Sequence, residues 1–302
     1  MNFKSILKRR KLWAIAIYRL QDERDIFSLS DHEPFYFIGE KGIRKNTDYQ
    51  HTAADPFVFV HNDRLYLFYE IQTDFGVGEI WAKSMDQQGV WVSHGQVLKE
   101  DFHLSYPQVF SYDGQVYMIP ETSASGKVWL YATASFPYKW QKKRMLIDEA
   151  LLDPSIVINN DGIFLFGTSR KNELKLYFFE NFNHEVVPLG AVMPSEDFLA
   201  RNAGRPIYIR NELYRVAQIS KSSYGQGGVS LLKVDELSIE NYSEHIVIPE
   251  LYKIRPKWMK SGYHHLSCAM FFNEHFVAVD GMRNDKWINA LSLAFLKYFS
   301  KR

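Results

Sequence analysis

Ala54-Asp55-Pro56-Phe57-Val58-Phe59 decides the fold, because the chain writes it again and again. Ser105-Tyr106-Pro107-Gln108-Val109-Phe110, Leu152-Asp153-Pro154-Ser155-Ile156-Val157 and Gly204-Arg205-Pro206-Ile207-Tyr208-Ile209 share its shape, with proline-to-proline steps of 51, 47 and 52 residues. A fifth version, His264-His265-Leu266-Ser267-Cys268-Ala269-Met270-Phe271, lacks the proline. Behind each comes a polar turn and a second apolar run, at 65–70, 116–121, 163–167, 213–218 and 276–280. A period near 50 residues filled with short strands is the mark of a β-propeller. Five copies therefore predict an all-β chain folded as one five-bladed β-propeller.

The blades fall at about 54–100, 101–150, 151–200, 201–250 and 261–283, within a single domain of 302 residues. Blade one parses into strands at 57–60, 65–70, 79–83 and 96–98, turning at Asn62-Asp63 and Gln88-Gly89. Asp113-Gly114, Ser125-Gly126, Asn160-Asp161-Gly162 and Asn211-Glu212 turn the later hairpins, since such residues accept positive φ. The last blade offers only two strands, whereas the segment 12–40 ahead of the first blade carries two spare ones, 13–19 and 34–39. These N-terminal strands are expected to close the last blade and remove its exposed edge. Ile288, Leu291, Phe295 and Tyr298 share one face of a short C-terminal helix expected over 285–302.

Composition narrows the function. A net charge of +1 lacks the basic excess of a nucleic-acid binder, so no nucleic-acid partner is expected. An aromatic share of 16% suits strands first and a sugar-stacking surface second. The single cysteine, Cys268, excludes an internal disulfide and sits within an apolar run. The apolar run 12–18 behind the basic N-terminus is too short for a membrane span and poor as a signal-peptide core. The expectation is a cytoplasmic protein, with peripheral contact to an anionic membrane through its basic termini as the sharper alternative.

Antiparallel strands bring the start of each first strand and the end of each second strand to one rim. Strand starts contribute Asp55, Tyr106, Asp153, Arg201, Asn202, Arg205, His264 and His265, and strand ends contribute Glu70, Glu121, Arg170, Gln218 and Asp280, with Arg283 just beyond. A single Asp before Pro caps a turn; Asp55 and Asp153, two blades apart, are more specific. Glycosidic chemistry needs two carboxylates, one as nucleophile or base and one as proton donor. Asp55, Glu70, Glu121 and Asp153 are the candidate catalytic residues, with Asp55 the principal anionic one. Tyr106, Arg170, Arg201, Asn202, Arg205, Gln218, His264, His265, Asp280 and Arg283 are the candidate substrate-binding residues, the guanidiniums suited to gripping a phosphate or carboxylate. His264 and His265 point to opposite faces of a strand. No metal and no cofactor are expected.

The Asp55-Pro56 and Asp153-Pro154 motifs resemble the blade-one and blade-three aspartate motifs of five-bladed arabinanase and β-xylosidase-type glycoside hydrolases. The resemblance implies that Asp55 is the base and that Asp153 tunes and orients the acid. The general acid of those enzymes, a Glu before Gly-Pro in blade four, has no counterpart in Asn202-Ala203-Gly204-Arg205-Pro206. A fuller set, Phe68-Tyr69-Glu70, His103-Leu104-Ser105-Tyr106-Pro107, Pro120-Glu121, Arg201-Asn202-Ala203-Gly204-Arg205-Pro206 and Tyr263-His264-His265-Leu266, is similar to the N-terminal propeller of plant glucosamine inositolphosphorylceramide transferases and their bacterial surface-glycan relatives. That resemblance implies a carbohydrate-active propeller of surface-glycan biosynthesis. The expected function is a glycosyltransferase acting on an anionic, nucleotide- or phosphate-activated sugar. The alternatives are a glycoside hydrolase and a non-catalytic glycan-binding module.

Overall fold

The computed structural model describes residues 11–39, 48–49, 52–72, 77–192, 194, 196–220 and 225–284. Chain order gives β1 (Lys11–Leu20), β2 (Tyr36–Gly39) and β3 (Asp48–Tyr49), then four complete blades. Blade one is β4 (Ala53–His61), β5 (Arg64–Gln72), β6 (Gly78–Met85) and β7 (Trp91–Leu98); blade two is β8 (Ser105–Tyr112), β9 (Gln115–Glu121), β10 (Val128–Ser135) and β11 (Tyr138–Ile147). Blade three is β12 (Leu152–Ile158), β13 (Ile163–Thr168), β14 (Leu174–Phe179) and β15 (Val187–Ala191); blade four is β16 (Ile207–Ile209), β17 (Glu212–Gln218), β18 (Val229–Leu237) and β19 (Tyr242–Ile248). Blade five starts with β20 (Leu266–Phe271) and β21 (Glu274–Asn284), and its sheet runs β20-β21-β1-β2-β3. The five-bladed all-β ring is the one expected.

Closure follows the expected route. β1 pairs antiparallel with β21 from Lys11 opposite Asn284 to Leu20 opposite His275, and β2 adds to its other edge. The short parallel pairing of β3 on β2 was not foreseen. The C-terminal helix expected over 285–302 and most of the basic N-terminus lie outside the described residues.

Hydrophobic burial lies between blades, as a ring requires. One cluster joins Ile15 and Ile17 of the closing strand to Val58, Leu67 and Tyr69 of blade one. Others join Phe68 to Val109 and Met118, Ile119 to Ile156 and Leu165, and Val216 to Tyr263 and Val279. The inner hairpins turn through paired positive φ at Asn62-Asp63 and Asp113-Gly114. In blade four the pair is Arg210-Asn211, one residue ahead of the expected Asn211-Glu212, because Glu212 already pairs with Ile209 in the ladder.

The proline phrases make three matching β-bulges. The register of β4 on β5 skips between Ala54 and Phe57, of β8 on β9 between Ser105 and Gln108, and of β12 on β13 between Leu152 and Ser155. Asp55, Tyr106 and Asp153 sit at the skips with φ of 50°, 51° and 47°. Three non-glycine residues in the left-handed region at one end of the ring form a concentration of strain of the kind that attends functional sites.

Candidate functional site

Each bulge frees a backbone N–H, and a neighbouring side chain captures it. Asp55 N donates to Asp280 Oδ2 (3.2 Å), Tyr106 N to Asp55 Oδ2 (3.2 Å) and Asp153 N to Glu121 Oε2 (2.9 Å). In every case the acceptor belongs to the preceding blade. Gly204 N donates instead to the Tyr106 hydroxyl (2.7 Å), which also bonds Ser155 Oγ (2.7 Å). Gly204 has φ of 143°, and a Cβ there would lie 1.9 Å from the Leu266 carbonyl oxygen. No larger residue fits that crossing.

Above the bulges the four candidate catalytic carboxyls, Asp55, Glu70, Glu121 and Asp153, come together, all buried. Burial raises Asp55 to about 7; the His264 charge opposes that rise, and Asp280 and Asp153 add to it. Burial likewise raises Asp153 to about 6 against the pull of Arg201. Glu70 stands well above the usual carboxylate range through burial and then through the charges of Asp55 and Glu121. His103 Nδ1 accepts from Gly78 N (2.9 Å), so its Nε2 carries the proton and faces Glu70 Oε1 at 3.4 Å. Buried carboxyls raised toward neutrality in one cluster are able to exchange protons at physiological pH.

Arg201 lies across this cluster. Its Nε donates to Asp153 Oδ2, and its Nη2 stands 4.0 Å from Glu121 Oε2. Gln218 Nε2 donates to the same Asp153 oxygen (3.0 Å), and Asn202 Nδ2 donates to the Asp153 carbonyl (2.9 Å). Asp153 is thus an anchor for Arg201. A cavity of about 210 Å³ opens beside it, lined by Arg170, Arg201, Gln218, His264, Ser169 and Asn172 among others. Arg170 is exposed at its edge, with one long contact to the Ser123 carbonyl (3.5 Å).

His264 and Asp280 form a buried ion pair, His264 Nδ1 lying 2.6 Å from Asp280 Oδ2. Burial opposes charge on His264, yet Asp280 and Asp55 raise it above its usual value. Burial also opposes charge on Asp280, and His264 lowers it below the usual range. Asp55, His264 and Asp280 bring ligand-type atoms within 4.8 Å of one another. Asp280 nevertheless spends both oxygens inside the protein: Oδ1 accepts from His264 N and His265 N, and Oδ2 from Asp55 N and His264. The donor set suits a fastener between blades five and one better than a cation site.

Several expected binding residues sit elsewhere. Tyr106 and His265 are fully buried, forming with Phe57 a three-ring plug at centroid distances of 4.9, 4.6 and 5.0 Å. Burial lowers His265 to about 3, so it stays neutral there. Neither ring reaches the mouth, because the bulge turns Tyr106 down the axis. Arg205 also departs from the expected mouth and lines a separate cavity below the plug. Arg283 pairs through its backbone with Leu12 and does not line the upper cavity. Sequence reasoning missed Trp13 of the closing strand, stacked on His264 at 4.3 Å and 23°, as well as His103 beside Glu70. His103 stood two residues ahead of Ser105 in a motif already singled out; Trp13 carried no such signal.

The sequence and the fold have counterparts among known proteins. The chain is 34% identical over 254 residues to glucosamine inositolphosphorylceramide transferase 1 of Oryza sativa subsp. japonica, covering 76% of this chain and 33% of that protein. To the Arabidopsis thaliana protein of the same name it is 31% identical over 253 residues, covering 76% and 32%. The chain therefore spans about a third of the length of the curated relatives it matches. Among solved structures it is similar in fold to an α-L-arabinofuranosidase from Clostridium thermocellum, with TM-score 0.55, 16% identity and coverage of 75% and 81%. The model of the family described as "Glucosamine inositolphosphorylceramide transferase 1, N-terminal" matches residues 42–282, and the chain belongs to that family.

Proposed function

We propose that this propeller takes part in glycan assembly as a glycosyltransferase, binding a phosphate-activated sugar at its upper mouth. The observation that carries the reading lies at the start of blade four. A glycoside hydrolase must protonate a poor alkoxide leaving group, and therefore needs a carboxylic acid there. Here the stretch Asn202-Ala203-Gly204-Arg205-Pro206 holds no carboxylic acid, and its Asn202 is fully buried and bonded to the Asp153 carbonyl, with Arg201 as its neighbour. A phosphate leaving group departs as a stable anion and asks for cations instead, which Arg201 and Arg170 supply. Asp55 takes the proton of the acceptor hydroxyl; its oxygen forms the new bond to the anomeric carbon as the bond to the donor phosphate breaks. The transferase names of the plant relatives support the reading, as does the propeller third shared with them. Cys268, a free thiol, suits a reducing compartment, and we place the reaction on the cytoplasmic side. Among the described residues no helix is long and apolar enough to cross a membrane.

One observation favours hydrolysis as the second reading: burial, followed by the charge of Asp55, raises the Glu70 carboxyl well above the usual carboxylate range, the direction a proton donor needs. Turnover assays separate the readings. With a nucleotide sugar as donor, Asp55→Asn is expected to lower kcat by about 10²–10⁴-fold while sugar affinity changes only a few fold. Free sugar released from a glycoside without an activated donor would instead establish hydrolysis. A wild-type protein that binds glycans and turns over neither substrate would be a binding module.

A further inference from the structure

Below the ring of Phe57, Tyr106 and His265 the channel widens again into a cavity of about 500 Å³. Its walls are the later halves of the innermost strands, including Gln108, Phe110, Ile156, Cys268 and Met270, with Arg205 at the top. Around the opening Val60, Ile158, Tyr208, Met270 and Phe272 expose apolar surface, Met270 and Tyr208 by 63% and 53%.

Arg205 is singular within this cavity. Among the described residues its one hydrogen bond runs from Nη2 to the Cys268 carbonyl (3.0 Å), and no carboxylate pairs with it. A guanidinium has five N–H donors, so most of the fork stays open toward the cavity. The one acid in the wall, Glu23, is held by Arg210, whose N (2.8 Å) and Nε (3.3 Å) both face its Oε1. By contrast, buried Arg215 is paired with Glu244, and Arg201 with Asp153. A half-buried cation with one neutral partner, ringed by apolar side chains, fits an anion that carries an apolar body.

We propose that the lower half of the channel is a second binding site, taking a phosphate group attached to an apolar chain. The phosphate meets the Arg205 fork and the chain leaves along Phe110, Ile158 and Met270.

Cys268, the only cysteine and a wall residue, reports occupancy directly. The test is the rate of maleimide labelling of Cys268 in the full chain with octyl phosphate, inorganic phosphate or octanol. Octyl phosphate is expected to protect Cys268 at lower concentration than inorganic phosphate, and octanol to protect it least. Arg205→Met should weaken protection by octyl phosphate about tenfold or more. Met270→Ser, at an exposed position that does not endanger folding, should weaken octyl phosphate and leave inorganic phosphate unchanged. Protection by inorganic phosphate equal to that by octyl phosphate would reduce the site to a free-phosphate site and overturn the apolar half of the proposal. Labelling of the wild type unaffected by any phosphate, or equal protection in Arg205→Met, overturns it entirely. The plug separates Cys268 from the upper mouth, so failure here leaves the transferase reading untouched.

Discussion

At the scale of single residues, Asp55 joins stability and chemistry in one side chain. Its pKa near 7 in the folded state exceeds the unfolded value of about 3.9. Between those values the folded chain holds a proton that the unfolded chain has released. The contribution of Asp55 to stability therefore falls as pH rises through that window, and above pH 7 the fold carries a buried charge at full cost. Asp55→Asn removes that charge and keeps an oxygen able to accept from Tyr106 N. The variant is expected to be more stable than wild type at pH 8, by on the order of a few kcal/mol, and to lose this advantage progressively as pH falls from about 7 toward 4. Thermal unfolding across that range checks the sign; a variant less stable at pH 8 would mean that the carboxylate is a structural anchor only. The sequence pointed to Asp55 because two Asp-Pro pairs recur at equivalent positions. Its environment was not readable, since the charges that tune it, Asp280, Asp153 and His264, come from other blades.

At the scale of elements, the innermost strands show how far a repeated phrase can be read. The phrase located five strands and the rim where they start. It did not predict the bulge, which turns the residue before three of the four prolines, Asp55, Tyr106 and Asp153, into the left-handed region and redirects its side chain. That turn sends Tyr106 into the axis, where its hydroxyl bridges Ser155 and Gly204 across two blades. Gly204-Arg205 departs from the pattern because blade four reaches its crossing through a glycine with φ of 143°, so Arg205 points down while Arg201 stays above. Both outcomes depend on one backbone angle that a side-chain pattern does not encode. Tyr106→Phe tests the bridge. It keeps the ring and leaves Gly204 N without its buried acceptor, which costs about 1–3 kcal/mol. Urea unfolding should show a lower midpoint with an unchanged slope; an unchanged midpoint would mean that the hydroxyl bridges nothing of consequence.

At the scale of the whole molecule, the ring depends on strands from both ends of the described chain lying side by side. Closure was legible in the sequence by counting: one blade lacked two strands, and two lay spare ahead of the first repeat. What counting could not give is that the closing strand also builds the site, through Trp13 stacked on His264. The closing strand has eight buried residues, among them Leu12, Trp13, Ile15, Ile17, Tyr18 and Leu20. At about 1.5–3 kcal/mol for each large apolar side chain, their burial rivals the 5–15 kcal/mol that holds a typical domain together. Removing them would also strip the edge of β21 along the ten-residue ladder from His275 to Asn284 and expose an apolar face of blade one. A chain lacking residues 1–40 is therefore expected to lose cooperative thermal unfolding and to aggregate through the bared edge. In the full chain Ile15→Asp, which buries a charge between blades five and one, should act in the same direction without shortening the protein. Circular dichroism melts and size-exclusion profiles of both proteins decide the matter. A soluble, cooperatively melting truncation would show that four blades hold without the fifth being closed, and that the N-terminal strands serve the mouth rather than the ring.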